Sequence, residues 1–341
     1  MRGAAVGIQR TVIIGAGAVG ASTAAQMALR GTDHLLIGRG EQIRRIAESG
    51  LRYIRPDGEH TVQLKTAESI ESAQLRESDL LLMATKTQHV EAASEQLAWK
   101  TAGSVLAADL PVLTLQNGMA AERILMRRFS RVYGGSIRIP ASYTETGTVT
   151  SGAAPKIAAF VLGRMPTGLD ETAQQIAELL RSIDWLVQLD DQVTRWKALK
   201  LLHSVKNGLE LLQADTADAQ QQREQLAELL SREAAAACAA AGIGIASDAE
   251  RTTDMSQFVI DPATGYREDR QSTWQSFARG AATHEADYLN GEIVQLGALH
   301  GVPTPANAAL QRALGRAWLT GAQPGSVPVP QVPGSEGSPR I

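Results

Sequence analysis

The chain has 341 residues, a length that fits two domains of ordinary size with ample residues for a hydrophobic core. Its 33 Lys and Arg residues against 36 Asp and Glu residues give a net charge of −3, which does not mark a nucleic-acid or anionic-membrane binder. The single cysteine, Cys238, excludes an intrachain disulfide framework, and with six scattered histidines we expect no metal site. No apolar run reaches the length of a membrane span and residues 1–10 lack a signal-peptide core, so we expect a cytoplasmic protein.

Short runs of Val, Ile and Leu alternate with helix-like stretches in the first third of the chain. Such runs are typical of strands buried on both faces of a parallel sheet. The predicted strands are Thr11–Gly15, His34–Gly38, Asp79–Ala84 and Val112–Leu115. Because Ala18–Arg30 has helical spacing between the first two strands, the order predicts a Rossmann-type sheet with crossover helices.

Strand patterns continue beyond this region. Arg52–Leu64 contains two short alternating runs around Pro56-Asp57-Gly58, which is a hairpin signal. Further strands are expected within residues 131–162 and at Trp185–Leu189.

The second half of the chain has helical spacing instead. Apolar residues at intervals of three and four predict helices over Gln192–Leu212, Asp218–Ala241 and Ala282–His300. We expect the alanine-rich stretch Ala234–Ala241 to be internal, because small side chains allow helices to approach closely. Residues 323–341 are rich in Pro, Gly and Ser, which predicts a disordered tail.

The predicted fold is therefore α/β, with an N-terminal Rossmann-type parallel-sheet domain followed by an all-helical C-terminal domain. The predicted boundaries are residues 8–190 for the first domain, 191–322 for the second and 323–341 for the tail. The helices can pack within one chain or across two, so the sequence is compatible with a monomer or a homodimer.

A GxGxxG pattern lies directly after the first predicted strand and opens the first helix. In such loops the first glycine permits a tight turn, the second lets the backbone approach a pyrophosphate, and the third packs helix on strand. The helix N-terminus also favours an anion. The residues expected to bind the dinucleotide are Gly15, Ala16, Gly17, Ala18, Val19 and Gly20.

The end of the second predicted strand should distinguish NADP from NAD. NAD sites usually place an acid there to accept a hydrogen bond from the ribose 2′-hydroxyl. Here Arg39 stands between Gly38 and Gly40 and offers a guanidinium to a 2′-phosphate. The pattern favours NADPH, and NAD remains an alternative if Glu41 turns inward.

Two polar loops follow the third and fourth predicted strands, Lys86-Thr87-Gln88 and Gln116-Asn117-Gly118. Ligands bind at the carboxyl ends of strands in sheets of this kind. Each loop fits either a cofactor contact or an ordinary polar connection.

Lys200, Ser204 and Asn207 recur at i, i+4 and i+7, so they share one face of the predicted helix among apolar residues. A lysine with apolar neighbours loses part of its hydration, which suits it to proton donation. The same spacing fits the solvated face of an amphipathic helix. Glu285 likewise fits either a functional site or an acid that stabilises the start of its helix.

Taken in order, these segments resemble the ketopantoate reductase (2-dehydropantoate 2-reductase) family over roughly residues 10–318. The resemblance rests on VIIGAGAVG near the N-terminus, KTQ, QNG, KLLHSVKN, and the segment from Ser272 to Asn307. That last segment contains STWQS, EADYLNGEIVQLG and HGVPTPAN. The ordered set is far more specific than any single motif.

The resemblance implies roles for individual residues of the second domain. Lys200 would be the general acid that protonates the developing alkoxide. Glu285 would contact the substrate hydroxyl and the nicotinamide end of the cofactor. Ser272 would help bind the substrate carboxylate, and Ser204 and Asn207 would belong to the substrate pocket.

The resemblance also implies the cofactor contacts. Asn117 would lie between cofactor and substrate, Lys86 near the cofactor, and Ala141 beside the nicotinamide. Arg39 corresponds to the NADP-type arginine of the family.

Three departures from the family pattern concern substrate contacts. Ser204 stands where the family usually has Asn, which shortens the hydrogen-bonding reach. The loop Ala214–Ala219 lacks an Asn that many members present to substrate, and KLLHSVKN is one residue shorter than the better-known form.

The implied function is NADPH-dependent reduction of a small-molecule 2-keto acid, most simply of 2-dehydropantoate to (R)-pantoate in pantothenate biosynthesis. One alternative is a paralogous reductase of another 2-oxo acid in secondary metabolism. A second alternative, from another class, is a non-catalytic NADP-binding protein.

Overall fold

The structure is a computed structural model that describes residues 7–270, 272–280 and 284–333. It divides into two compact units. The sheet unit comprises the residues up to Gln116, Ala120–Trp196 and Ser247–Arg267. The helical unit comprises Asn117–Met119, Lys197–Ala246 and the residues from Glu268 onward.

All strands of the described chain lie in the sheet unit. In chain order they are β1 (Arg10–Ile14), β2 (His34–Ile37), β3 (Leu51–Arg55), β4 (Gly58–Val62), β5 (Thr66–Ala67), β6 (Asp79–Met83), β7 (Thr101–Ala102), β8 (Val105–Leu106), β9 (Pro111–Thr114), β10 (Arg131–Arg138), β11 (Ala141–Ser142), β12 (Thr148–Ser151), β13 (Ala153–Pro155), β14 (Ala158–Arg164), β15 (Trp185–Leu189) and β16 (Phe258–Ile260).

The helices of the described chain occur in both units. In chain order they are α1 (Ala18–Leu29), α2 (Gly40–Ser49), α3 (Val90–Ala98), α4 (Ala120–Leu125), α5 (Glu171–Ser182), α6 (Val193–Ser204), α7 (Ala217–Ala240), α8 (Ser272–Ala278), α9 (Ala286–His300) and α10 (Pro305–Thr320).

The main sheet has eight strands in the order β15-β14-β10-β9-β6-β1-β2-β5. Neighbouring strands are parallel except for β10 and β14, which are antiparallel. Along β6, Leu80 and Leu82 pack into one hydrophobic core while Leu81 and Met83 pack into another. Burial on both faces explains why these strands are continuous apolar runs, and it confirms the α/β fold predicted from them.

Smaller sheets flank the main one. The order β11-β12-β3-β4 forms a second sheet, in which Tyr53 of β3 lies opposite His60 of β4 across the predicted hairpin. β7 pairs with β8, and β13 pairs with β16. β16 was not predicted, because its three residues are too few to give a recognisable strand pattern.

The helical unit is built around α7, α9 and α10. Ala234, Ala237 and Cys238 of α7 are fully buried in its core together with Ile293 of α9 and Leu310 of α10. Ala234 and Ala237 therefore face the core, whereas Ala236, Ala239 and Ala240 of the same stretch are exposed, so the prediction that Ala234–Ala241 is internal holds for one face of the helix only.

The helix predicted over Gln192–Leu212 ends earlier, at Ser204. The backbone then forms a tighter turn, in which Asn207 N–H donates to the Ser204 carbonyl, three residues earlier, at 3.0 Å. A short 3₁₀ turn follows at Leu209–Leu211. Asn207 therefore lies in a turn and does not share a helical face with Lys200. The helix predicted from Ala282 begins at Ala286, and residues 281–283 lie outside the described residues.

The predicted domain boundaries also need correction. The division falls inside α6, between Trp196 and Lys197, and residues 247–267 return to the sheet unit. Their return is stabilised by β16 and by Gln188, whose side chain donates to the Glu250 carbonyl and accepts from Thr252 N–H.

The predicted disordered tail begins too early. Val327 is buried in the core of the helical unit, and its backbone N–H donates to the Leu211 carbonyl at 3.1 Å. Its carbonyl accepts from Gln213 N–H at 2.8 Å. Residues 323–333 therefore pack against the helices, and the rest of the predicted tail lies outside the described residues.

Candidate active site

The glycine-rich loop between β1 and α1 has the geometry of an anion-binding turn. Gly15 has a φ of +120°, and a Cβ there would lie 2.8 Å from the backbone of Ala84 and Thr85. A Cβ on Gly20 would lie 1.9 Å from the Gly15 carbonyl oxygen, so this glycine lets the helix pack on the turn. A Cβ on Gly17 would meet nothing within 4 Å. The first and third glycines are thus required by packing, whereas the second borders open space.

The start of α1 has unused hydrogen-bonding capacity for a ligand. Gly17 occupies the N-cap position without a side-chain cap, and the described first turn contains no acidic residue. The free N–H groups and the helix dipole at such an end favour a negatively charged group. The geometry of the loop is compatible with an anionic group such as a pyrophosphate, and the binding of a dinucleotide there stays a prediction.

The loop after β2 carries the residues that are predicted to distinguish NADP from NAD at the ribose 2′ position. β2 ends at Ile37 and α2 begins at Gly40, which leaves Gly38 and Arg39 between them. Arg39 is exposed in extended backbone, and its charge lowers the pKa of Glu71 as a minor contribution. Glu41 is exposed in the first turn of α2, so it is not the residue that directly follows the strand.

The loop after β9 is hydrogen-bonded to the loop after β6, which lies beside the glycine loop. Gln116 Nε2 donates to the carbonyls of Met83 at 2.9 Å and of Thr85 at 2.8 Å. Thr85 in turn borders Gly15, so the polar loops predicted to line the cofactor site share one edge of the sheet. Lys86 is half-buried there, at the start of a 3₁₀ turn over Thr87–His89.

Asn117 belongs to the helical unit although it directly follows the sheet. The next residue, Gly118, has a φ of +77°, and a Cβ on it would lie 2.5 Å from the Tyr288 carbonyl oxygen. Only glycine allows this close approach to the first turns of α9. Half-buried Asn117 is thus held close to the segment that begins at Glu285.

Ser272 and Glu285, thirteen residues apart, are brought together by the fold. Ser272 Oγ donates a hydrogen bond of 2.8 Å to Glu285 Oε2, and the Glu285 residue is 6% exposed. Within the described chain, Glu285 stands at the N-cap position of α9 without capping it through its side chain. The hydrogen bond joins the start of α8 to the start of α9, and the role of the Glu285 carboxylate in the site stays a prediction.

The C-terminal part of α6 and the turn after it carry the predicted residues Lys200, Ser204 and Asn207. Lys200 is half-buried, while Ser204 and Asn207 are 3% and 7% exposed. Ser204 and Asn207 are thus not a solvated face, which removes the amphipathic-surface interpretation for these two residues. Ala141 lies elsewhere, half-buried in β11 of the second sheet.

A buried polar network not predicted from sequence holds the end of α6. Asn290 Nδ2 donates to the Val205 carbonyl at 2.9 Å and to Asn307 Oδ1 at 3.1 Å. Asn307 Nδ2 donates to Glu233 Oε2 at 2.9 Å, and this carboxylate also accepts from the Ala306 and Asn307 N–H groups at the start of α10. The network fixes the carbonyl that directly follows Ser204. The partners are too far apart in sequence for any local pattern to reveal them.

Lys197 was not among the predicted site residues, yet it is 2% exposed and lies one turn before Lys200 on α6. A lysine this buried is uncommon. The only sequence signal for it was its position among the apolar residues of the same helix.

Two further findings concern the described residues. Over residues 7–270, 272–280 and 284–333, no group of three or more His, Cys, Asp or Glu side chains is arranged to hold a metal ion. Among the helices that the structure describes, none is long and apolar enough to cross a membrane.

Two family models match the chain. The model described as ketopantoate reductase PanE/ApbA matches residues 11–165, and the model described as ketopantoate reductase PanE/ApbA C terminal matches residues 194–317. The chain belongs to the ketopantoate reductase family. This family is one of oxidoreductases, so the protein is an enzyme and the alternative of a non-catalytic binding protein is not supported.

Two curated relatives match along almost their whole length. The 2-dehydropantoate 2-reductase of Pyrococcus horikoshii is 25% identical over 299 residues, which are 87% of this chain and 94% of that protein. The 2-dehydropantoate 2-reductase of Archaeoglobus fulgidus is 26% identical over 308 residues, which are 89% of this chain and 96% of that protein.

Solved structures show the same fold. A PanE/ApbA family ketopantoate reductase from Ralstonia eutropha JMP134 is 22% identical with a TM-score of 0.70, over 92% of this chain and 99% of that chain. A D-mandelate dehydrogenase with NADH and anilino(oxo)acetate is 21% identical with a TM-score of 0.73, over 92% of this chain and 99% of that chain. At these identities the likeness concerns the fold alone.

Proposed function

We propose that the enzyme reduces a 2-keto acid with NADPH, most simply 2-dehydropantoate to (R)-pantoate. The observation that carries the proposal is the pair of family matches at residues 11–165 and 194–317. The curated relatives are named for this reaction, and the glycine loop has the open, uncapped helix start that a dinucleotide requires.

The cofactor assignment rests on the loop after β2. Bound NADPH supplies the hydride. Arg39 is proposed to pair with the 2′-phosphate, because a guanidinium binds phosphate oxygens in a bidentate manner. The position of Glu41 in the helical first turn supports this choice over NADH, since NAD sites place the acid at the strand end.

The proton donor is proposed to be Lys200. As hydride reaches the carbonyl carbon, negative charge develops on the carbonyl oxygen, and a cationic lysine stabilises this charge before it donates the proton. Glu285 is proposed to orient the substrate hydroxyl, and Ser272 to hold both Glu285 and the substrate carboxylate. Asn207 would fix the substrate so that its carbonyl meets the hydride donor in a reactive geometry.

Lys200→Ala tests the proton-transfer role. We expect kcat to fall by about 10²-fold or more, the usual size of a general-acid contribution, with little change in Kd for NADPH. Lys206→Ala is the matched control, because Lys206 is a half-buried lysine in the turn after α6 and has no proposed role. Equal kcat values for Lys200→Ala and the wild type would refute the mechanism.

Arg39→Ala tests the cofactor assignment. Loss of one charge-assisted contact should weaken NADPH by about tenfold or more while NADH changes little. Arg44→Ala, an exposed arginine on α2, is the matched control. An equal loss for the two cofactors would refute the role of Arg39.

A second candidate function is reduction of a different 2-oxo acid, and Ser204 favours it. A buried Ser where the family usually has Asn shortens the reach toward substrate. We would compare kcat/KM for 2-dehydropantoate, 2-oxoisovalerate and pyruvate in the wild type and in Ser204→Asn. A wild type that prefers another acid, with 2-dehydropantoate improved only in Ser204→Asn, would support this candidate.

A further inference from the structure

Asn290 of α9 is a buried polar side chain that contacts two other elements of the helical unit. It is 2% exposed, and its Nδ2 group donates to the Val205 carbonyl at 2.9 Å and to Asn307 Oδ1 at 3.1 Å. A side-chain amide has two N–H donors, so both donors of Asn290 are used inside the protein. Asn290 therefore joins α9 to α10 and to the turn that follows α6.

The Val205 carbonyl lies in that turn, between Ser204 and Asn207. The Asn207 N–H donates to the Ser204 carbonyl, whereas the Val205 carbonyl is bound by the side chain of Asn290, 85 residues further along the chain. Val205 is fully buried, and a buried carbonyl that loses its partner is unfavourable. The position of the turn thus depends on a side chain of another helix.

The other partner of Asn290 is fixed as well. Asn307 is fully buried, and its Nδ2 group donates to the Leu230 carbonyl at 3.2 Å and to Glu233 Oε2 at 2.9 Å. Both of its donors are thereby used on α7, which leaves its Oδ1 to accept from Asn290. A reversed amide at Asn290 would place its oxygen against Asn307 Oδ1 and the Val205 carbonyl, which are both acceptors. The network therefore allows one orientation of Asn290.

Asn290 links the two groups of candidate substrate residues in the helical unit. Glu285 stands at the N-cap position of α9 and accepts a hydrogen bond from Ser272. Ser204 and Asn207 flank the carbonyl that Asn290 binds. A misplacement of about 1 Å can slow an enzyme reaction by about 10²-fold, so the bond that holds the turn against α9 bears directly on the rate.

We propose that Asn290 is a positioning residue for the reaction, which holds the turn of Ser204 and Asn207 in place relative to the start of α9. The inference rests on the proposed reduction of a 2-keto acid. Asn290 acts through the turn, because both of its N–H donors are bound to protein. Loss of its side chain should therefore impair use of the keto acid and leave the binding of NADPH unchanged.

Hydrogen exchange tests the contact without any ligand. Leu296→Ala is the matched control, because Leu296 is a buried residue of the same helix, and its truncation lowers Tm by leaving a cavity without breaking a hydrogen bond. We expect the backbone amides of residues 205–211 to exchange about tenfold faster or more in Asn290→Ala than in Leu296→Ala. Equal exchange of these amides in the two variants would overturn the contact.

Steady-state kinetics at a temperature well below Tm test the role. The substrate is whichever of 2-dehydropantoate, 2-oxoisovalerate and pyruvate the wild type reduces best. In Asn290→Ala we expect kcat/KM for that acid to fall by about tenfold or more while Kd for NADPH stays within about twofold. Leu296→Ala should keep both values within about twofold. Equal losses of kcat/KM in Asn290→Ala and Leu296→Ala would overturn the positioning role.

A second kinetic comparison shows whether Asn290 acts through the turn. In a background of Ser204→Ala with Asn207→Ala, the side chains that the turn presents are already absent. Adding Asn290→Ala to this background should therefore lower kcat/KM by less than about threefold. A further loss as large as that of Asn290→Ala alone would overturn the action through these two residues.

Failure of the inference can be distinguished from failure of the proposed function. A wild type that reduces none of the three acids would refute the proposed reaction and the positioning role with it, although hydrogen exchange would still measure the contact. An active wild type whose Asn290→Ala variant shows faster exchange in the turn but an unchanged kcat/KM would overturn the positioning role alone.

Discussion

Substitution of the second glycine of the loop, Gly17, should weaken cofactor binding and leave the stability of the fold almost unchanged. Gly17→Ala adds one methyl group where no atom lies within 4 Å, at a φ of −80° that alanine readily adopts. Alanine is a poorer N-cap than glycine by about 0.5–1 kcal/mol, and the reduced freedom of the unfolded chain returns about 0.4–1 kcal/mol. We therefore expect the free energy of unfolding to change by less than about 1 kcal/mol.

Cofactor affinity should respond far more strongly to the same change. The methyl group enters the space through which a pyrophosphate would approach the backbone N–H groups of α1. Loss of one hydrogen bond to a charged group costs about 1.5–3 kcal/mol, which corresponds to a roughly 10- to 100-fold increase in Kd for NADPH.

The assay is titration of NADPH fluorescence beside thermal unfolding without nucleotide. Gly315→Ala is the matched control, because Gly315 lies in α10 and a Cβ on it would meet nothing within 4 Å. It should gain up to about 1 kcal/mol of stability and keep its Kd. Gly20→Ala should instead fail to fold stably, since its Cβ would lie 1.9 Å from the Gly15 carbonyl oxygen. A Kd for Gly17→Ala within twofold of the wild type would refute pyrophosphate binding at this loop.

Three further predictions concern stability and reactivity. Asp79→Asn should lower the free energy of unfolding, measured in urea, by about 3–5 kcal/mol. Buried Arg10 donates to both carboxylate oxygens of Asp79, at 2.8 and 2.7 Å, and would lose its counter-charge. A loss below about 1 kcal/mol would contradict this prediction. Burial holds the pKa of His34 below its usual value, so the unfolded chain binds more protons and stability should fall as pH drops below about 6.5. His34→Gln should flatten that decline between about pH 7 and 5, and an unchanged slope would exclude His34 as its source. Burial raises the pKa of Cys238 to about 11, so a thiol reagent at neutral pH should modify it only on unfolding, and rapid labelling of native protein would contradict its burial.

Elements defined by local pattern could be predicted from the sequence. The strands that became β1, β2, β6 and β9 were recognisable because burial on both faces requires continuous apolar residues. The hairpin of β3 and β4 was recognisable from its turn residues.

Features set by tertiary contacts could not be predicted in this way. Apolar spacing continues past Ser204, yet α6 ends there, where Asn290 binds the Val205 carbonyl and a Cβ on Gly208 would lie 2.4 Å from Leu314. The segment 323–333 has a disordered composition, but Val327 is held by backbone hydrogen bonds to a distant turn.

The candidate site shows the same division. The glycine loop and Arg39 were identified by local motifs with a known physical role. The resemblance pointed to Ser272 and Glu285, but their hydrogen bond depends on how the chain between them folds. The buried state of Lys197 had only one local signal, its position among the apolar residues of α6.

Steady-state oxidation of NADPH with 2-dehydropantoate tests the proposed reaction most directly, run beside 2-oxoisovalerate, pyruvate and an NADH control. We predict a kcat/KM above about 10⁴ M⁻¹s⁻¹ for 2-dehydropantoate with NADPH, within the normal range of enzymes, and a much lower value with NADH. Tight binding of NADPH without turnover of any of these acids would contradict the proposed reaction.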